Sequence, residues 1–221
     1  SDLGGNQVCK EKVPDLRFCD FPYGRLAPSF TAGLGWVASS EGGFWHKKIY
    51  PYQMWLDGLY MGQPFYAEYS QVFGEDNWGD IANQFVWMEK HSRDPNTGLL
   101  YHGWDESKQQ KWADKKTGLS PHVWGRAMGW YAMGLIDTLE YFPNNHPRRG
   151  ELLAILQREA AAIEKYQDKK TGVWYDIIDL PERKPNYIES SASAMFVLAI
   201  ARGVREGWLP EKYMKVAVRG W

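Results

Sequence analysis

The 221 residues carry 26 Lys and Arg against 27 Asp and Glu, a formal net charge of −1, so charge gives no case for nucleic acid or an anionic membrane as partner. No apolar run approaches a membrane span, and the first residues lack the charged and apolar regions of a signal peptide, which leaves the compartment, cytoplasmic or periplasmic, open. The unusual figure is 12 tryptophans, which fit either a Trp-rich core or a site where flat apolar faces meet a ligand such as a sugar ring.

Residues 1–40 hold Pro14, Pro22, Pro28 and five glycines with little helical period; they predict an irregular segment packed on the helices. Cys9 and Cys19 fall here without zinc-ligand spacing beside them, and say little about compartment. From about Tyr50 onward, apolar residues recur at spacings of three and four, which predicts helices over 51–73, 78–91, 121–142, 151–166 and 189–204. In the third of these, "SPHV" casts Ser120 as N-cap and Pro121 as the first helical residue.

A pattern recurs between the helices. "GGFWH" ends at His46, "TGLLYHGWD" spans 97–105 and "TGVWYDIID" spans 171–179. Each is a Gly turn and a short extended aromatic stretch leading into a helix rich in small residues, the mark of an internal repeat of helical hairpins. The small-residue helices at 121–142 and 189–204 are apolar nearly all round, so they should be buried on most sides. A ring of hairpins with an inner helix layer satisfies that better than an open solenoid. In such a ring His46, Asp57, His102, Asp105, Asp176, Arg126 and Glu189 come to one rim.

Asp57 lies in "MWLDGLY", too far beyond Pro51 to be an N-cap if the helix starts there. A carboxylate among apolar residues is either a paired structural group or a desolvated acid suited to proton transfer. Arg126 lies in "WGRAMGW"; Gly125 and Gly129 permit close packing, and Trp124 and Trp130 flank a guanidinium that can take a carboxylate ligand or pair within the chain. His46 and His102 follow the turns of two repeats, either as hydrogen-bonded structural residues or as ligand contacts. No HExxH or His/Cys spacing is present, nor GxSxG, P-loop or GxGxxG, so neither metal nor cofactor is expected.

Four stretches, "GGFWHKKIYPYQMWLDGLYM", "YHGWDESKQQKWAD", "WGRAMGW" and "YIESSASAMFVLAIARGVREGWLP", together resemble the unsaturated rhamnogalacturonyl hydrolases, family 105 of the glycoside hydrolases, over about residues 40–221. The resemblance implies an all-α fold, an (α/α)6-type barrel of helical hairpins, incomplete in this chain, with 41–221 as its catalytic part. It implies removal of the 4,5-unsaturated uronic acid from lyase-generated pectin-type oligosaccharides. Asp57 then corresponds to the catalytic acid/base, and His46, Lys47, His102, Trp124, Arg126 and Trp130 to the substrate-contacting set. Two departures stand out. Residues 1–40 do not match the hairpins that supply the family's second active-site Asp, since Asp2, Asp15 and Asp20 lie in no matching motif. The chain also ends before the hairpins that close the ring. Another α/α-barrel carbohydrate enzyme, such as an epimerase or an ordinary glycosidase, and a non-catalytic sugar-binding remnant are the competing expectations.

Overall fold

The computed structural model describes residues 38–221, so the expectation for residues 1–40 falls almost wholly outside the described part. The elements run β1 (Gln53–Trp55), α1 (Leu56–Phe73), α2 (Trp78–Ser92), β2 (Gly103–Asp105), α3 (Gly125–Tyr141), α4 (Arg149–Lys165), α5 (Ser190–Arg205), a 3-10 turn at Glu211–Tyr213, and α6 (Met214–Gly220). The helices α1, α3 and α5 pack side by side in that order, and α2 and α4 form a second layer behind them, each docked on its hairpin partner. The alternation of inner and outer helices is an arc of an α/α-barrel fold, with β1 and β2 as its one regular strand pair among the described residues.

The inner layer explains the small residues. In α3 a Cβ on Gly134 would stand 3.0 Å from the Tyr60 backbone nitrogen of α1, and one on Gly129 would stand 2.7 Å from the Met195 methyl of α5. Glycine therefore lets three helices approach closely, at the cost of helix propensity. The core between layers holds Phe85, Met128, Tyr131, Leu135, Leu152 and Phe196, each below 2 % exposure.

Two helix starts differ from the sequence expectation. The first helix begins at Leu56, not Pro51, because residues 53–55 pair antiparallel with 103–105 in the register Gln53–Asp105, Met54–Trp104 and Trp55–Gly103. The third begins at Gly125. Ser120 is no N-cap: its hydroxyl and its amide are both spent on Gly103, as acceptor from the Gly103 amide at 3.2 Å and as donor to the Gly103 carbonyl at 2.9 Å. A tertiary pairing thus overrides a local capping signature.

The turns share a sequence, Asp-x-x-Thr-Gly, at 94–98, 114–118 and 168–172. In each the glycine amide donates to the aspartate carbonyl, at 2.8, 2.8 and 2.9 Å, with glycine φ at +80°, +81° and +82°. The aspartate side chains accept from the amides of Asn96, Lys116 and Lys170. Hydrogen-bond donors, foremost the Asn96 amide, the Thr117 amide and the Thr171 hydroxyl at the three sites, hold all three carboxyls below their ordinary range. Asp114, which has no single reading in the sequence, is therefore a turn residue.

One buried carboxyl stands apart. Glu159 of α4 is fully buried, and neither of its oxygens has a hydrogen-bond partner. Burial pushes its pKa up to about 8, opposed by Arg93 and reinforced by Glu89, so it sits in the core as a neutral acid at neutral pH. Above it, Glu89 bridges Arg93 at 2.6 Å and Arg158 across the outer layer.

Candidate active site

The same backbone frame occurs twice at the N-terminal end of the inner layer. The Leu56 amide donates to the His102 carbonyl at 3.0 Å, and the Gly125 amide donates to the Asp176 carbonyl at 2.7 Å. Trp55 faces Gly103 across the strand pair, and Trp124 bridges Ile177 in the same way. In this frame His102 and Asp176 occupy equivalent places on two loops. Asp57 and Arg126 are equivalent second residues of two inner helices. Trp55 and Trp124 are the extended residues just before those helices, with φ/ψ of −125°/147° and −90°/119°.

Asp57 is the acidic residue of the first turn of α1, where the helix N-terminus favours negative charge. Its neighbours Leu56 and Leu59 are sealed in the core, while its own side chain keeps 17 % exposure and lies 2.9 Å from His102 Nε2. Of the two settings the sequence leaves open for this carboxylate, the structure shows a paired one, with an imidazole as partner. The His102 ring meets Trp55 and Trp124 edge-on, at 5.2 and 5.0 Å. His46 stacks on Trp55 at 4.3 Å, with Tyr50 on the same indole at 5.1 Å. Burial pushes the His46 pKa down to about 4, against the pull of Asp57, so this ring is neutral at pH 7, and its Nδ1 is buried without a partner. Gly58 makes room for it, since a Cβ there would stand 3.2 Å from that nitrogen.

Arg126 lies over the Trp124 ring at 5.4 Å and pairs through Nη2 with Glu189 at 2.9 Å, its side chain 40 % exposed. Glu189 caps α5, accepting from the Ala192 amide and the Ser191 hydroxyl. Burial alone would raise its carboxyl, but those donors and Arg126 together outweigh it and hold the group below the ordinary range. The intramolecular pairing of Arg126 is therefore real: Nη2 is taken by Glu189 and Nε is buried without a partner, on a side chain that is still partly exposed.

His46, Asp57, His102, Trp124 and Arg126 form one connected cluster, with Asp176 joined to it through Trp124. Lys47 is an exposed neighbour whose ammonium lies 5.9 Å over the Tyr50 ring. Trp130 sits a turn further along α3, tilted on Tyr60 at 4.6 Å and outside these ring contacts. Asp105 does not join the rim. It is fully buried and accepts from the Ser107 amide and hydroxyl and the Gln110 amide; its carboxylate organises the 105–110 loop. Sequence reasoning misses Trp55 and Tyr50, whose signal is the paired "YPYQMW" aromatics before the helix. Among the described residues no group of three His, Cys, Asp or Glu side chains is arranged to hold a metal ion, and no helix is long and apolar enough to cross a membrane.

Comparison with known proteins gives this geometry a context. The family described as Glycosyl Hydrolase Family 88 matches residues 36–221. A 24.9 kDa protein in the picA locus of Rhizobium radiobacter is 38% identical over 159 residues, 72% of this chain and 67% of that protein. The unsaturated rhamnogalacturonyl hydrolase YesR of Bacillus subtilis is 33% identical over 168 residues, 76% of this chain and 45% of YesR. A solved family 105 glycoside hydrolase from C. acetobutylicum superposes with a TM-score of 0.81 at 52% identity, covering 83% of this chain and 51% of that one. The chain thus spans about half the length of that structure. With its α/α arc and its helix-terminal Asp–His pair, the chain belongs to the glycosyl hydrolase family 88 and 105 group.

Proposed function

We propose that the chain, as it stands or as part of a longer protein, removes 4,5-unsaturated uronic acid residues from the non-reducing ends of lyase-generated pectin-type oligosaccharides. The observation that carries this reading is the Asp57–His102 pair, 2.9 Å apart, at the first turn of an inner helix and walled by two indoles. The likeness to YesR supports the substrate class.

The substrate is an enol ether: its double bond joins carbons 4 and 5 and is conjugated with the carboxylate. Asp57 gives a proton to carbon 4, and positive charge develops at carbon 5 and the ring oxygen. Water adds at carbon 5 as the Asp57 carboxylate takes its proton; the hemiketal opens by breaking the bond from carbon 5 to the ring oxygen, and the hemiacetal left at carbon 1 collapses to an aldehyde and releases the neighbouring sugar as an alcohol. One acid/base does both transfers, unlike the two-carboxylate displacement at an anomeric carbon. His102, at hydrogen-bond distance, fixes the Asp57 carboxyl, and the partly exposed Arg126 guanidinium takes the uronate carboxylate. Trp124 offers a stacking wall beside it. No metal or cofactor enters these steps.

The test is turnover of a lyase-treated pectin oligosaccharide, followed as loss of the double bond's ultraviolet absorbance, beside the same oligosaccharide after chemical saturation. Loss of absorbance from the first and no release from the second is expected. Cleavage of the saturated sugar would favour an ordinary glycosidase. Binding without turnover would favour a sugar-binding remnant, a reading motivated by the half-length match to the solved structure.

A further inference from the structure

We propose that Asp176 is a positioning residue for this site, holding the Trp124 indole as the wall that orients His102 against Asp57. The inference rests on the reaction proposed above for its kinetic arm and on geometry alone for its spectroscopic arm.

The repeated frame makes Asp176 conspicuous. At the equivalent place on the preceding loop, His102 reaches the second residue of α1 directly, at 2.9 Å from Asp57. Asp176 does not pair with Arg126, the second residue of α3, which is taken by Glu189. Instead its Oδ1 accepts from Trp124 Nε1 at 2.9 Å. The backbone of the same loop locks the same segment: the Asp176 carbonyl accepts from the Gly125 amide at 2.7 Å, and the Asp176 amide donates to the Tyr187 carbonyl. Trp124 is therefore fixed at its side chain, and at the peptide that follows it, by one residue of the next repeat.

That fixed ring touches two members of the site. It carries the Arg126 guanidinium at 5.4 Å, and it meets His102 at 5.0 Å and 64°. Position 124 precedes the helix in an extended conformation, so the helix itself does not set the rotamer. An indole is free to turn about two side-chain torsions, and the hydrogen bond to Asp176 selects one setting. The sequence Asp176–Trp124–His102–Asp57 joins the third repeat to the first through side chains alone.

The experiment compares Asp176→Ala, Asp176→Asn and Trp124→Phe in the full chain. NMR reads two resonances in the ligand-free protein: the Trp124 indole N–H and the His102 ring protons, which feel the Trp124 ring current. Asp176→Ala should move the indole proton upfield, speed its exchange with water and shift the His102 ring. Asp176→Asn keeps an acceptor oxygen and should stay near wild type. Asp176→Ala should shift the His102 ring no further when introduced into the Trp124→Phe variant. With unsaturated substrate, Asp176→Ala should lower kcat on the order of tenfold, with a smaller change in KM. An unmoved His102 ring in Asp176→Ala, or additive effects of Asp176→Ala and Trp124→Phe, would overturn the proposal. Absence of turnover in wild type would overturn the reaction instead, and the resonances would still decide the positioning role.

Discussion

The loops at 94–102 and 168–176 share a backbone frame and carry opposite chemistry. Both start with Asp-x-x-Thr-Gly, both bury their seventh residue completely (Leu100 and Trp174), and both offer the ninth residue's carbonyl to the first amide of an inner helix. The ninth residue is His102 in one and Asp176 in the other. The helices they meet begin Leu-Asp and Gly-Arg, each directly after a tryptophan. A frame set by turns and glycines is thus reused, and the chemistry is written in one side chain per loop and one per helix. The first unit brings together an acid and an imidazole; the second brings a guanidinium and fixes an indole.

Substitutions at these equivalent places should break the site without breaking the frame. Asp57→Asn keeps the shape and loses the transferable proton. It should lower turnover by about 10²–10⁴ with binding largely kept, and equal turnover with an intact fold would remove Asp57 from the chemistry.

The outer layer gives the counter-case, where one side chain governs stability and not catalysis. Burial raises the pKa of Glu159 to about 8 in the fold from an ordinary value of 4.5, so the folded chain holds a proton that the unfolded chain releases. Stability should be greatest below pH 4.5 as far as this group is concerned, and should fall by several kcal/mol as pH rises through 8. Denaturant titrations at about pH 5.5, 7 and 8.5 should show that slope in wild type and a flatter one in Glu159→Gln. An unchanged slope would mean that another group carries it. His46 works in the other direction: burial depresses its pKa to about 4, so it removes stability as pH falls from its ordinary 6.5 towards 4.

Arg126→Lys keeps the charge and loses the planar fork, a smaller change. It should weaken unsaturated uronides on the order of tenfold and leave neutral sugars nearly alone. Equal loss for both would assign Arg126 to the Glu189 pair only.

Two turn glycines test the frame itself. Gly98 and Gly172 share a left-handed conformation, yet a Cβ on Gly172 would stand 2.2 Å from the Arg219 carbonyl oxygen, while one on Gly98 meets only the Ala162 methyl at 3.6 Å. Gly98→Ala should therefore cost about 1 kcal/mol from backbone strain, and Gly172→Ala about 1–3 kcal/mol more, because the α6 end must move. Equal unfolding midpoints for the two would contradict the α6 contact.

Much of the helical fold is legible because long segments carry a period. The five long helices can be read that way, and the inner role of α3 and α5 follows from their glycines and alanines. The strands are not legible, since three residues hold no period, and their pairing moves the start of α1, while the Ser120–Gly103 bonds displace the expected start of α3. The turn at 114–118 is legible in principle, because its Asp-x-x-Thr-Gly matches the other two, but a reading built on the Thr-Gly pairs at 97 and 171 passes over it. The residues named for the site stand out largely through family motifs. The role of Asp105 is not legible, because a buried loop carboxylate and a rim carboxylate look alike until their donors are known. The partnership of Asp176 with Trp124 spans 52 positions and has no local signal.

Chemistry at the double bond is the central claim, and turnover of the unsaturated oligosaccharide in deuterated water tests it most directly. One deuterium on a single face of carbon 4 in the released sugar is expected at early times, with the double bond gone. Release of an unsaturated sugar with its absorbance intact and no deuterium at carbon 4 would contradict it.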